Sequence, residues 1–302
     1  MTTTDLERPA AAPAFQQISA GRKAKNRIAT VLVTGAFVIA VAPLVWLLWT
    51  VVEKGFTHVL SGDWWGKSLA GLTGRQQGGG AYHAIYGTLI QALVCAVIAV
   101  PIAIMVAIYL VEYGRNSRLA KWITFTVDIL SGVPSIVAAL FIYALWVTTL
   151  GLPRSAFAVS LALVLLMIPV VVRTTEELLK IVPDELREAS YALGIPKWKT
   201  IIKIVVPTAL SGIITGIMLA VARVMGETAP VLILVGYTTF INFDPFEGNM
   251  ASLPLFMNSE RLTINDIGEA RVWGAAVTLI LIITVINLLA TVISRLTSVK
   301  TK

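Results

Sequence analysis

Apolar residues in this chain gather into six long blocks, at about 28–52, 84–111, 123–149, 155–175, 208–236 and 272–294. Each approaches or exceeds the roughly 20 residues that a helix rising about 1.5 Å per residue needs to cross about 30 Å of hydrocarbon. The pattern predicts an all-α polytopic membrane protein with six transmembrane helices. Prolines interrupt several blocks (Pro43, Pro101, Pro134, Pro169, Pro230), which membrane helices tolerate where neighbours or water re-satisfy the backbone. Residues 1–27 are polar, rich in Ala, Pro and Thr, and read as a disordered tail; 28–302 read as one transmembrane domain. The first block is too long for the core of a cleavable signal, and no small-residue cleavage pattern follows it.

The longest polar interruption on one side is 176–207. Within it, Asp184 to Pro207 reads as two short helices hinged at a glycine. Asp184 suits an N-cap after Pro183, and Glu185 and Glu188 lie near the positive end of the helix they start. Gly194 fits the left-handed position that closes a helix, and Pro196 fits the first turn of the next. Two readings stand: a helical loop that only sets topology, or a docking element for a partner.

Composition agrees with a membrane class. The chain has 302 residues, 57% hydrophobic and 14% charged, with a mean hydropathy of +0.82; soluble domains have about 45–50% apolar and about 25% charged residues. The net charge of +7 does not require a nucleic-acid partner. With the N-terminus inside, 16 lysines and arginines fall in the inner segments and 6 in the outer ones. That asymmetry predicts both termini, and the 176–207 loop, in the cytoplasm. The outer connections are 53–83, with Trp64, Trp65 and Gly78-Gly79-Gly80, and 237–271, with five acids. The apolar run Leu253–Met257 is too short to span; it either dips back into the protein or rests at the interface. The single cysteine, Cys95, reads as a small core residue.

Four charged residues fall inside the blocks: Asp128, Arg173, Arg223 and Glu227. Each costs about 2.5–3.5 kcal/mol near a helix centre, so they should face protein or water. Arg223 and Glu227 lie four apart, on one face of an unbroken helix. Arg223 is roughly 22 Å along that helix from Pro207, too deep for easy snorkelling. The pair is either an internal ion pair that fixes packing or a cationic site on an anion route, with Glu227 orienting Arg223. A guanidinium suits a tetrahedral oxyanion because it stays charged and donates parallel hydrogen bonds. Arg173 and Asp128 lie near the same end of antiparallel blocks and are expected to approach each other; alternatively Arg173 snorkels or pairs with Glu176 or Glu177. Gly212 and Gly216 form a small-xxx-small packing face.

Several chemistries lack their residues. The run Gly62 to Ser68 is one residue short of an ATP-binding loop and lies in an outer connection. No H-E-x-x-H and no cysteine cluster occur, and His58 and His83 fall outside the blocks, so no metal, cofactor or catalytic residue is expected. Uphill transport would draw on an ion gradient or on another subunit.

Glu188-Ala189-Ser190, then Gly194, then Ile204, Val206 and Pro207 resembles the E-A-A-x3-G-x9-I-x-L-P motif of ABC importer permeases, with Ser190 and Val206 as mild departures. Gly132 to Val137, Arg173, the run Arg223 to Pro230, and Ala251 to Pro254 look like the PstA family of phosphate ABC importer permeases. The Arg223 run is shared in outline with the sister PstC family; length and loop texture favour the former. The resemblance implies a type I importer (MetI-like) permease fold and an ATPase-coupling role for Glu188, Ala189, Gly194 and Pro207. It implies phosphate passage by Arg173 and Arg223, beside Glu227. It implies as partners a sister permease, two copies of an ATP-binding subunit and an extracytoplasmic phosphate-binding protein, in a bacterial cell membrane. Other readings are a permease for sulfate or molybdate, an ion-coupled secondary carrier, or a membrane-embedded phosphatase, whose nucleophile or metal set is missing from the sequence.

Overall fold

The computed structural model describes residues 19–74, 76–114, 117–263 and 265–297. The helices run α1 (Ala20–Val59), α2 (Gly62–Gly66), α3 (Tyr82–Ile108), α4 (Arg118–Gly132), α5 (Ser135–Ile142), α6 (Ala156–Ile181), α7 (Asp184–Ala192), α8 (Lys197–Thr200), α9 (Val206–Met225), α10 (Ala229–Leu234), α11 (Leu253–Arg261) and α12 (Asp266–Thr297). Wider π turns follow α3 (Tyr109–Tyr113) and α5 (Tyr143–Thr149), and a third (Ile201–Val205) joins α8 to α9.

The chain divides into two units, up to Thr50 and from Val51 onward. In the first, the expected tail lies outside the described residues as far as residue 18, but residues 20–27 already belong to α1. That stretch holds Ala, Arg and Lys, good helix formers, with no proline to stop the apolar helix extending towards the N-terminus. Successive side chains such as Val31, Leu32 and Val33 are all exposed, the all-round apolar surface of a span.

The second unit is built on α3 and α6. α3 buries a stripe of small residues at helical spacing: Ala92, Cys95, Ala99, Ala103 and Ala107. Small side chains let backbones come close in a membrane, where no hydrophobic force draws helices together. α6 sets Val159, Ala162, Leu163, Met167 and Val171 into the same core. The Cys95 thiol lies 3.6 Å from Met167 Sδ. α9 packs on α6 through Gly212 and Gly216, where an added Cβ would come 2.6 Å from Leu178 Cδ2 and 3.1 Å from Thr174 Oγ1. The small-residue pair is therefore a packing face within this subunit. α12 packs against α9 and α11. α11 has folded back into the protein, with Leu253 and Phe256 fully buried. Gly87 makes room for the chain entering it: a Cβ there would fall 1.8 Å from the Ala251 carbonyl oxygen.

Among the described residues, five helices are long and apolar enough to cross a membrane, or six spans if the α4–α5 pair counts as one. That pair corrects the continuous third block: α4 and α5 meet at 107°. Val133 is extended (φ −70°, ψ 125°) and Pro134 follows. Proline pushes the residue before it out of the α region and has no N–H to continue the ladder. The fifth block is also broken. α9 ends at Met225, Gly226 caps it, and α10 restarts with Pro230 in its first turn. By contrast, Pro43, Pro101 and Pro169 sit inside continuous helices. α6 runs past residue 175 to Ile181, absorbing the start of the expected loop. The loop's second helix is not separate either: Lys197–Met225 is one helical rod. His58 and His83 fall outside the apolar blocks, but the helices run past those blocks, so they lie in the last turn of α1 and the first turn of α3.

Candidate functional site

The loop between α6 and the Lys197–Met225 rod is held from inside by Arg187. Its guanidinium donates from Nε and Nη2 to Glu112 Oε1 at 3.1 and 3.0 Å. It also donates to the Val182 and Leu179 carbonyls at 2.7 and 3.0 Å, and to Asp184 Oδ1 at 3.0 Å. The Arg187 and Glu112 side chains are 12% and 6% exposed. The bonds to Leu179 and Val182 occupy carbonyls at the end of α6, which a helix C-terminus leaves unsatisfied. Lys197 adds a second tie, its ammonium bonded to the Glu112 carbonyl and 4.9 Å from the centre of the Tyr113 ring. One arginine and one lysine thus fasten both ends of the hinge to the turn after α3.

Gly194 takes φ +72°, the left-handed conformation expected of it, and its N–H reaches the Tyr191 carbonyl at 2.9 Å. Asp184 is not the cap. Pro183 takes that position with an extended ψ, and Arg187 draws the Asp184 carboxylate into the first turn. Ser190, which stands where the importer motif has a second alanine, is buried with its hydroxyl 2.8 Å from Thr200 Oγ1. That bond spans the hinge. Pro207 lies in the first turn of α9. Glu188 and Ala189 are exposed, beside the uncovered apolar side chains of Leu193 (79% exposed) and Trp198 (59%).

The intramembrane charges separate into two groups. Arg173 meets Asp128 through Nη2 and Glu176 Oε2 through Nη1 at 2.8 Å, so both expected pairings form at once. Glu176 Oε1 also accepts from Lys180 at 2.7 Å. The result is an alternating ladder, Asp128–Arg173–Glu176–Lys180, with a formal charge of zero. Arg223 and Glu227 do not form the expected pair. Arg223 is exposed in the last turn of α9 and Glu227 is half-buried beyond its end; no ion pair joins them among the described residues. Gly226 ends the helix between them, so the i, i+4 geometry that the pairing needed is lost.

The ladder and the loop open on one cavity of about 1090 Å³. Asp128, Glu176 and Lys180 line it from α4 and α6, and Arg187, Glu188 and Lys197 line it from the loop. Sequence reasoning missed Glu112, whose role depends on a partner 75 residues away, and counted Arg187 only as a loop charge. At the opposite end, Arg271 and Glu260 form a buried pair at 3.0 Å, and Arg271 also binds the Gln76 and Gly78 carbonyls at 2.7 and 3.2 Å, tying the 53–83 connection to α11 and α12.

Residues 99–299 match the family model described as "Binding-protein-dependent transport system inner membrane component". The chain is 56% identical, over 97% of its length and 95% of the relative's, to a phosphate transport system permease protein PstA 1 of Mycobacterium tuberculosis. It is 39% identical, over 91% of each, to a PstA of Yersinia pestis. Its fold resembles a chain of an alginate ABC transporter (TM-score 0.62, 13% identity, 91% of this chain and 97% of that one). It also resembles a chain of the MetNI methionine ABC transporter (TM-score 0.56, 17% identity, 72% and 94%). The chain belongs to the PstA family of permease proteins, within the binding-protein-dependent inner membrane transport components.

Proposed function

We propose that this chain is one of two permease subunits of an ATP-driven importer of inorganic phosphate in a bacterial cell membrane. It forms half of the transmembrane route, and a PstC-like sister permease forms the other half. Two PstB-like subunits hydrolyse ATP on the cytoplasmic side, and a PstS-like binding protein delivers phosphate from outside. The chain itself performs no bond chemistry. The observation that carries this reading is the 56% identity, over 97% of the chain, to a relative named as a phosphate permease.

The geometry gives the reading a mechanism. The exposed ridge of Glu188, Ala189, Leu193 and Trp198 docks on the ATPase. Gly194 sets the angle of the ridge, and Pro207 passes its motion into α9. The basic asymmetry of the connections supports both termini, and this ridge, in the cytoplasm. Arg173 and Arg223 serve phosphate along the route, and Glu227, free of Arg223, lies beside it.

The test is to co-express the chain with its three kinds of partner subunit, reconstitute the complex and follow ATP-dependent uptake of radiolabelled phosphate. Uptake that requires every subunit, and that sulfate and molybdate fail to inhibit, supports the proposal. Equal inhibition by sulfate or molybdate makes the chain a permease for another oxyanion. Gradient-driven uptake by this chain alone makes it a secondary carrier.

A further inference from the structure

The ion-pair ladder has a property that an anion route does not need: its arginine is already occupied. Both terminal nitrogens of Arg173 hold carboxylates. A phosphate arriving here would meet a neutral array, not a free cation. Carboxylate and phosphate are oxyanions recognised by the same guanidinium fork, so phosphate competes with these carboxylates for its N–H donors.

The two carboxylates are not equivalent. Glu176 is 10% exposed and keeps Lys180 as a second partner. Asp128 is 59% exposed and has no other ion-pair partner among the described residues. It lies about 15 Å along α4 from Arg118 and lines the cavity of about 1090 Å³ that the coupling loop also lines. That space carries Lys121 and Lys180 on its walls, so a displaced Asp128 remains near positive charge. α4 ends at the 107° elbow four residues beyond Asp128, so its orientation is set separately from that of α5.

We infer that Asp128 is a built-in competitor for Arg173: its carboxylate holds the guanidinium while no phosphate is present, and gives way to phosphate during transport. The inference rests on Arg173 serving the phosphate route. Asp128 is a positioning residue that tunes affinity through Arg173. Apparent affinity falls by the fraction of molecules in which Arg173 is free. Asp128 is largely exposed and exposed ion pairs are weak, so removing it tightens binding severalfold, up to about fivefold.

The experiment measures equilibrium binding of radiolabelled phosphate to the complete solubilised transporter, without ATP or binding protein, and then uptake kinetics in vesicles. Asp128→Asn should bind phosphate severalfold tighter, up to about fivefold, and show a lower KM with a lower kcat, because release slows. Asp128→Glu should restore wild-type values. Arg173→Gln, and Arg173→Gln with Asp128→Asn, should both lose binding. Unchanged or weaker binding in an assembled Asp128→Asn complex overturns the inference. If that variant does not assemble, Asp128→Ser takes its place, and unchanged or weaker binding in it overturns the inference. Normal phosphate uptake in Arg173→Gln removes Arg173 from the route and fails the underlying reading. Loss of uptake in Arg173→Gln without tightening in Asp128→Asn fails only the competitor.

Discussion

Replacing Arg187 with methionine tests whether the coupling loop is held from inside. The change keeps an unbranched side chain of similar reach but removes five hydrogen bonds, two of them to the buried Glu112 carboxylate. Breaking one side of a buried ion pair costs about 3–5 kcal/mol, because the remaining charge stays buried and unpaired. The damage falls on the loop and not on the α3–α6 core. It should therefore appear as local opening, with amide exchange across 185–193 faster by roughly two to four orders of magnitude. Exchange in Ala92–Ala107 should not change. Adding Glu112→Gln should recover much of the loss, since the stranded charge is then gone. Acceleration of less than tenfold in 185–193, or a double variant no better than Arg187→Met, would refute the anchor.

Three further outcomes follow from the geometry. Gly194→Val forces a β-branched residue into φ +72°, at a cost of at least about 1–2 kcal/mol. The assembled complex should keep its ATPase activity and lose phosphate uptake; normal uptake would remove the hinge from the mechanism. Gly87→Ala places a methyl 1.8 Å from the Ala251 carbonyl oxygen and should destabilise the outer half by about 1–3 kcal/mol, seen as a lower thermal midpoint in detergent. Arg223→Gln should abolish uptake without disturbing assembly, because no ion pair to Glu227 depends on it; subunits that dissociate on purification would instead indicate a packing role.

What could be read from the sequence, and what could not, follows from distance along the chain. The six blocks were legible because hydrocarbon thickness fixes a length that any window can measure. Gly194 was legible because one residue carries the conformation. The Asp128–Arg173 pair was legible because antiparallel neighbours put equal depths side by side. The Arg187–Glu112 anchor was not, since nothing sets the register of two separate connections until the helices beneath them have packed. Prolines misled for a related reason. Pro134 breaks its span and Pro101 does not. Pro134 is preceded by Gly132 and a residue turned extended, while Pro101 lies within the alanine stripe that packs α3 along its length. The missing Arg223–Glu227 pair has the same origin: one glycine ended the helix between them.

The continuous rod from Lys197 to Met225 can be treated as a lever. Its close contact with α6 at Gly212 and Gly216 is the fulcrum, since small faces allow one helix to roll on another. Trp198 lies roughly 24 Å from that point on one side and Arg223 roughly 14 Å on the other, at about 1.5 Å per residue. A sideways push of about 3 Å at the loop would swing the Arg223 end about 2 Å the opposite way, by the ratio of those arms. The π turn at Ile201–Val205 lies in the longer arm, where a wider, weaker turn takes up part of the stroke. A subunit that hydrolyses nothing would in this way convert motion on one side of the membrane into displacement of a charge inside it.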